Sequence, residues 1–207
     1  MRGRLFVLAL TVLCQSACQR ARGTPWTEEI QPSRAPVQEL VREPAEVNLM
    51  AGGAAFVLEK RARYRVAARV LSRERYYWGW RSQLSPLDLA LGWGFMSDAR
   101  VDRFIEWRQS SRWYFYTFSA SSPYRSEDIR SESSNVHVVP GSSNLRRALL
   151  AVEAGDTVKL TGALIYARRA HEATVEWLSS LSRTDTGGGA CELMLVERLL
   201  HRGLEYR

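Results

Sequence analysis

The chain has 207 residues, 45% hydrophobic and 25% charged, with a formal net charge of +7. That is enough apolar material for one real core, and it excludes a fold that depends on disulfide staples. A basic balance suits anionic surfaces without selecting one of them.

In chain order, residues 1–17 read as an export signal: Arg2 and Arg4 precede an apolar run from Leu5 to Cys14 that is too short to stay in a bilayer as a helix. Its end, Gln15-Ser16-Ala17-Cys18, is lipobox-like, so acylation at Cys18 is expected to anchor the protein to the membrane. Gln15 stands where Leu is usual, and ordinary cleavage after Ser16 or Gly23 is the alternative. Acylation of Cys18 leaves Cys191 unpaired; an unmodified Cys18 is able to bridge to it. Residues 18–47 hold Pro25, Pro32, Pro36 and Pro44 without periodicity and read as a tether, with a single domain at 48–207.

In that domain RYRVAARV alternates Tyr64, Val66, Ala68 and Val70 with Arg63, Arg65 and Arg69, a half-buried strand with an arginine face. Ser85-Pro86 predicts a short helix ending at Gly92, and Ser97 a second turn toward Asp102. RFIEWRQ and RWYFYTF read as a hairpin broken at Gln109-Ser110-Ser111, followed by a long serine-rich loop and the strand NVHVVP. A helix from Ser142 or Ser143 to about Val152 comes next, then the strand DTVKLTGALIYA with a bend at Gly162, then TVEWLSSL and ACELMLVERL. The fold class is mainly β: about seven strands in an OB-like β-barrel, one helix between strands, and one or two helical turns.

SPLDLALGWGFMSD, Gln109-Ser110 before RWYFY, NVHVVP, GDTVKLTGALI and WLSSLSRTDTGGGACELMLVE, in that order, resemble a family of bacterial envelope proteins with no assigned reaction. The resemblance spans about Tyr64 to Glu197 and implies an envelope location, but it carries over no catalytic residues. Val136 stands where the family has Met, and Phe95 where Pro is common.

The three glycines before Cys191 suggest a phosphate cradle, but no Lys follows them and the next residues are strand-like, so a nucleotide site is excluded. A nucleophilic Cys191 needs a base, and among His137, His171 and His201 the best partner is His137, oriented by Asp88 or Asp185. Against this, Cys191 shares parity with Leu193 and Leu195, which predicts a packed thiol. Three scattered histidines make no metal cluster, and no cofactor is implied.

Arg63, Arg65 and Arg69, followed by aromatics that include Trp80, suit an anionic lipid, a glycan phosphate or an acidic envelope protein. An OB-like surface of this kind also suits single-stranded nucleic acid, a ligand that export argues against. Trp93, Asn135, His137 and Arg183 complete the ligand-binding candidates, the polar ones because they sit in apolar or small-residue motifs. The expectation is a non-catalytic binding or structural protein, with a thiol hydrolase or transferase using Cys191 and His137 as the alternative.

Overall fold

The computed structural model describes residues 20–182, 185 and 187–207. The expected export signal, Cys18 and Arg183 lie outside the described residues.

The described elements, in chain order, are strands β1 (Thr24–Pro25), β2 (Val37–Leu40), β3 (Glu46–Ala51) and β4 (Ala54–Arg75), helix α1 (Trp80–Leu84), β5 (Leu87–Gly92), and 3-10 turns at Gly94–Ser97 and Ala99–Arg103. Then come β6 (Ile105–Ser110), β7 (Trp113–Phe118), α2 (Ser126–Ser131), β8 (Ser133–Pro140), α3 (Ser143–Leu150), β9 (Thr157–Arg169), β10 (Trp177–Leu178), β11 (Glu192–His201) and β12 (Leu204–Tyr206). The molecule is mainly β, with twelve strands among the described residues where the sequence suggests about seven. Four of the five extra strands, β1, β2, β3 and β12, have six residues or fewer and carry too few side chains for periodicity to register. Three of these come from the proline-rich stretch and its border, and lie along β4 or β12.

The fifth is β5, which corrects the expected helix at 85–91. Leu87, Leu89 and Leu91 point into the core while Asp88 and Ala90 point to the other face, and all six residues of the strand are buried. A strand buried on both faces reads as one apolar run and mimics a helix. The serine-rich loop likewise contains the short helix α2.

Strands β4, β5, β8, β11 and β9 pair in that order, and β9 pairs back to β4, so the pairings run in a ring. Every pairing in it is antiparallel except β8 with β11. Inside lie Tyr64, Val66, Leu89, Val138, Leu160 and Met194, with Leu145 and Leu149 of α3 packed among them. Each such buried side chain contributes about 1.5–3 kcal/mol. At Gly162, opposite the register shift between Val196 and Arg198 in β11, a methyl group would sit 1.9 Å from the Leu195 carbonyl oxygen, so only glycine fits.

A second apolar layer lies outside the ring, where Leu84, Val139, Trp177, Leu193 and Leu195 pack together. This layer is why all eight residues of β8 are buried. It also shuts two outward polar residues of β8, Asn135 and His137, away from water.

Candidate functional site

Asp88 on β5 and His137 on β8 are directly opposite in the strand register. The side chain of Asp88 is fully buried, which demands partners. It has two. Arg112 Nη1 donates to Oδ1 at 2.7 Å, and His137 Nδ1 is 3.0 Å from Oδ2. The second contact is close but poorly aligned, an ion-pair approach more than a directed hydrogen bond.

Arg112 comes from the turn between β6 and β7. Ser111 and Arg112 have φ of 53° and 72°, the two-residue primed turn that hairpins favour, built here without the usual Asn-Gly. A left-handed arginine is strained by about 1–2 kcal/mol. Its contacts offset that cost. Besides Asp88, Nη2 donates to the Ser85 carbonyl at 2.9 Å, the guanidinium lies 3.7 Å from the Tyr76 ring centroid, and the backbone N–H donates to Tyr76 Oη at 2.9 Å. Tyr76 stays neutral, its pKa pushed up to about 12 by burial and then by the charge of Asp88.

Cys191 enters from the other side. β11 runs parallel to β8, pairing Glu192 with Val136 and Leu193 with His137, so Cys191 arrives beside Asn135. Asn135 Nδ2 lies 3.6 Å from the sulfur and donates to the Arg112 carbonyl at 3.0 Å, while its own Oδ1 accepts from Gln109 Nε2 at 2.6 Å. Burial works against a charged ring, but the nearby Asp88 carboxylate and then Cys191 outweigh it and raise the His137 pKa from 6.5 to about 9. The Trp177 ring covers the imidazole, its centroid 4.9 Å away.

A cavity of about 500 Å3 opens on this cluster. Cys191 and Asn135 line it, whereas His137 and Asp88 sit behind them. A thiol at the cavity wall with an imidazole and a carboxylate behind it is an arrangement that thiol catalysis can use.

No family model, curated protein or solved structure matches the chain.

The structure brings together Cys191, His137, Asn135 and Asp88 of the residues singled out in the sequence. Cys191 does share its face with Leu193 and Leu195, but that face belongs to the outer layer, so the thiol is half-buried at a cavity and not sealed in the core. Asp185 lines the same cavity and accepts from Ser180 Oγ at 2.7 Å, leaving Asp88 as the orienting carboxylate.

The arginine face stands apart. Arg63 and Arg65 are exposed, Arg65 lying 3.8 Å from Glu39, while Arg69 forms a bidentate pair with Asp102. Trp93 is in the ring core, and Trp80 packs on the outer layer against Phe56 and Trp177. Sequence reasoning missed Arg112 and the covering role of Trp177. A signal for the first was available: an arginine at the tip of an aromatic hairpin, and one aspartate in an apolar strand that needs a cation.

Proposed function

We propose that the chain is a thiol-dependent acyl hydrolase or transferase with Cys191 as nucleophile, His137 as general base and acid, and Asp88 as the group that orients the ring. The observation that carries this is the Asp88 carboxylate 3.0 Å from the His137 imidazole, on the strand beside the one that brings Cys191 to the cavity wall.

With Nδ1 held against Asp88, Nε2 takes the thiol proton. The sulfur attacks the carbonyl carbon of an ester, thioester or amide, the S–C bond forms, and the imidazolium returns the proton to the leaving oxygen, sulfur or nitrogen as its bond to carbon breaks. Water, or an acceptor nucleophile, then loses a proton to Nε2 and attacks the thioester, and the S–C bond breaks to regenerate the thiol. Asn135 Nδ2, 3.6 Å from the sulfur, is placed to donate to the oxyanion.

Iodoacetamide alkylation of Cys191, followed by peptide mass mapping across pH, tests the reading. His137→Gln, which removes both the proton acceptor and the positive charge that favours a sulfur anion, is expected to slow alkylation near neutral pH by at least about 100-fold. Equal rates in wild type and variant at every pH would remove His137 from the reaction and end the proposal.

We also read the ring as a closed OB-like barrel. Numbered along the chain, its five strands pair in the order first, second, third, fifth, fourth, with the parallel pair between third and fifth and α3 between third and fourth. That order supports a five-stranded Greek-key barrel. Export, with lipid attachment at Cys18, remains our reading of the first eighteen residues; fatty-acid labelling that is lost in Cys18→Ala tests it. A binding role for the arginine face is the weaker reading, because Trp80 and Trp93 pack inward and Arg69 is already paired.

A further inference from the structure

The two ends of the ring differ in charge. β4 ends at Arg75 opposite Leu87 of β5, Leu87 is opposite Val138 of β8, and two residues later β8 ends and leads into α3. The loop after β4 and the start of α3 therefore leave the ring at the same end. Residues 75–87 and 133–152 contain no Asp or Glu. Among the described residues neither Arg75 nor Arg146 is in an ion pair, and burial and then the charge of Arg75 lower the pKa of Arg146. Of the carboxylates nearby, Glu153, Asp156 and Glu205 are paired with Arg73, Arg202 and Arg198, which leaves Glu74. Past the other end, between Gly92 and Ser133, Asp98, Asp102 and Asp128 are each paired with an arginine.

Beside the bare arginines stand two exposed rings. Trp78 is 90% exposed and Tyr77 69%, and the Arg75 guanidinium lies 5.5 Å from the Tyr77 ring centroid. The loop that presents them is braced: Tyr76 N donates to Pro86 O at 2.9 Å, and Ser82 Oγ donates to Trp78 O at 2.6 Å. Rings with an apolar body and a polar edge suit the boundary between lipid headgroups and acyl chains, and guanidinium groups suit phosphate.

The start of the described chain converges on the same end. Asn144, the second residue of α3, accepts from Arg22 N at 2.7 Å and donates to Arg22 O at 2.8 Å, and Ala21 packs on the ring core. Where the sequence suggests a tether as far as residue 47, the fold takes hold of the chain at Ala21, three residues from Cys18 and at most about 11 Å away.

We propose that this end of the ring, through Arg75, Arg146, Tyr77 and Trp78, rests on an anionic phospholipid bilayer. Acyl chains on Cys18 hold the same end down; that support rests on the lipid-attachment reading above, whereas the arginines and the rings do not. β8 runs from Ser133, which lines the Cys191 cavity, to Pro140 at the bilayer end, about 23 Å of strand at 3.3 Å per residue, so the cavity stands clear of the lipid.

Hydroxyl-radical footprinting of the full chain carrying Cys18→Ala, read by mass mapping, tests this without the anchor. The vesicles are phosphatidylglycerol and phosphatidylcholine in equal parts, or phosphatidylcholine alone. Phe95, 68% exposed beyond the other end of the ring, is the internal reference. On the mixed vesicles oxidation of Tyr77 and Trp78 is expected to fall at least about fivefold while Phe95 is unchanged, with no such fall on phosphatidylcholine alone. Arg75→Gln combined with Arg146→Gln removes two like charges and no ion pair, and should raise the lipid concentration for half protection by about tenfold or more. Unchanged oxidation of Trp78 on mixed vesicles, equal protection on both kinds, or protection indifferent to the double variant overturns the proposal. Protection that grows with protein concentration in the absence of lipid overturns it in favour of a second copy on this face. Protection of Trp78 here, with no fatty-acid labelling of the wild type, removes the anchor and keeps the bilayer face.

Discussion

At the scale of the residue, the cluster is a problem of buried charge. A fully buried carboxylate is tolerated only with partners, and Asp88 has a guanidinium on one oxygen and an imidazole at the other. Truncating Arg112 to Ala is therefore expected to cost about 3 kcal/mol, measurable by urea denaturation. His137 links the site to pH. Its pKa is raised in the fold, so its contribution to stability is complete below about 6.5 and is lost as pH climbs through about 9. Asp88→Asn removes the main support for the charged ring and leaves burial unopposed, so the imidazole, followed by NMR, should titrate far below 9 and the alkaline loss of stability should disappear. Cys191, His137 and Asp88 were legible in the sequence as a candidate set, because few residues of the right chemistry exist. Whether the thiol was exposed was not legible, since strand parity shows which side chains share a face but not what covers that face.

At the scale of the element, strands with one wet face are visible in the sequence and strands with none are not. β4 announces itself through Tyr64 and Val66 against Arg63 and Arg65. β5 is hidden because the hairpin tip covers its outer side at Asp88, making Asp88 look like the polar side of a helical turn. The hairpin itself was readable from its aromatic strands, but its turn falls at Ser111-Arg112, one residue later than the polar run suggests. That shift is what sends the guanidinium to Asp88. Gly162 was readable as a bend; the reason for it, the Leu195 carbonyl oxygen packed where a methyl group would sit, belongs to a strand more than thirty residues away. Gly162→Ala is expected to lower stability by about 3 kcal/mol, roughly 6–12 °C in Tm by calorimetry, with β9 or β11 displaced.

At the scale of the whole molecule, β11 holds the ring together: it pairs with β8 on one side and β9 on the other. A chain ending at Ala190 should lose its cooperative thermal transition and its near-ultraviolet dichroism, although β4 and β5 remain intact in sequence. A native-like melt of that truncated chain would show that the other strands suffice. The strand order was not legible residue by residue, because long-range pairing is decided by which faces close on each other and not by local pattern. The parallel pairing of β8 and β11 also has a temporal meaning. Asp88, Arg112 and His137 all precede Cys191 in the chain, and the sulfur is brought beside them only when β11 pairs with β8. A chain that stops before Cys191 thus carries the histidine and the carboxylate without the sulfur. On the proposed thiol reading, reactivity at Cys191 then reports that β11 has docked beside β8.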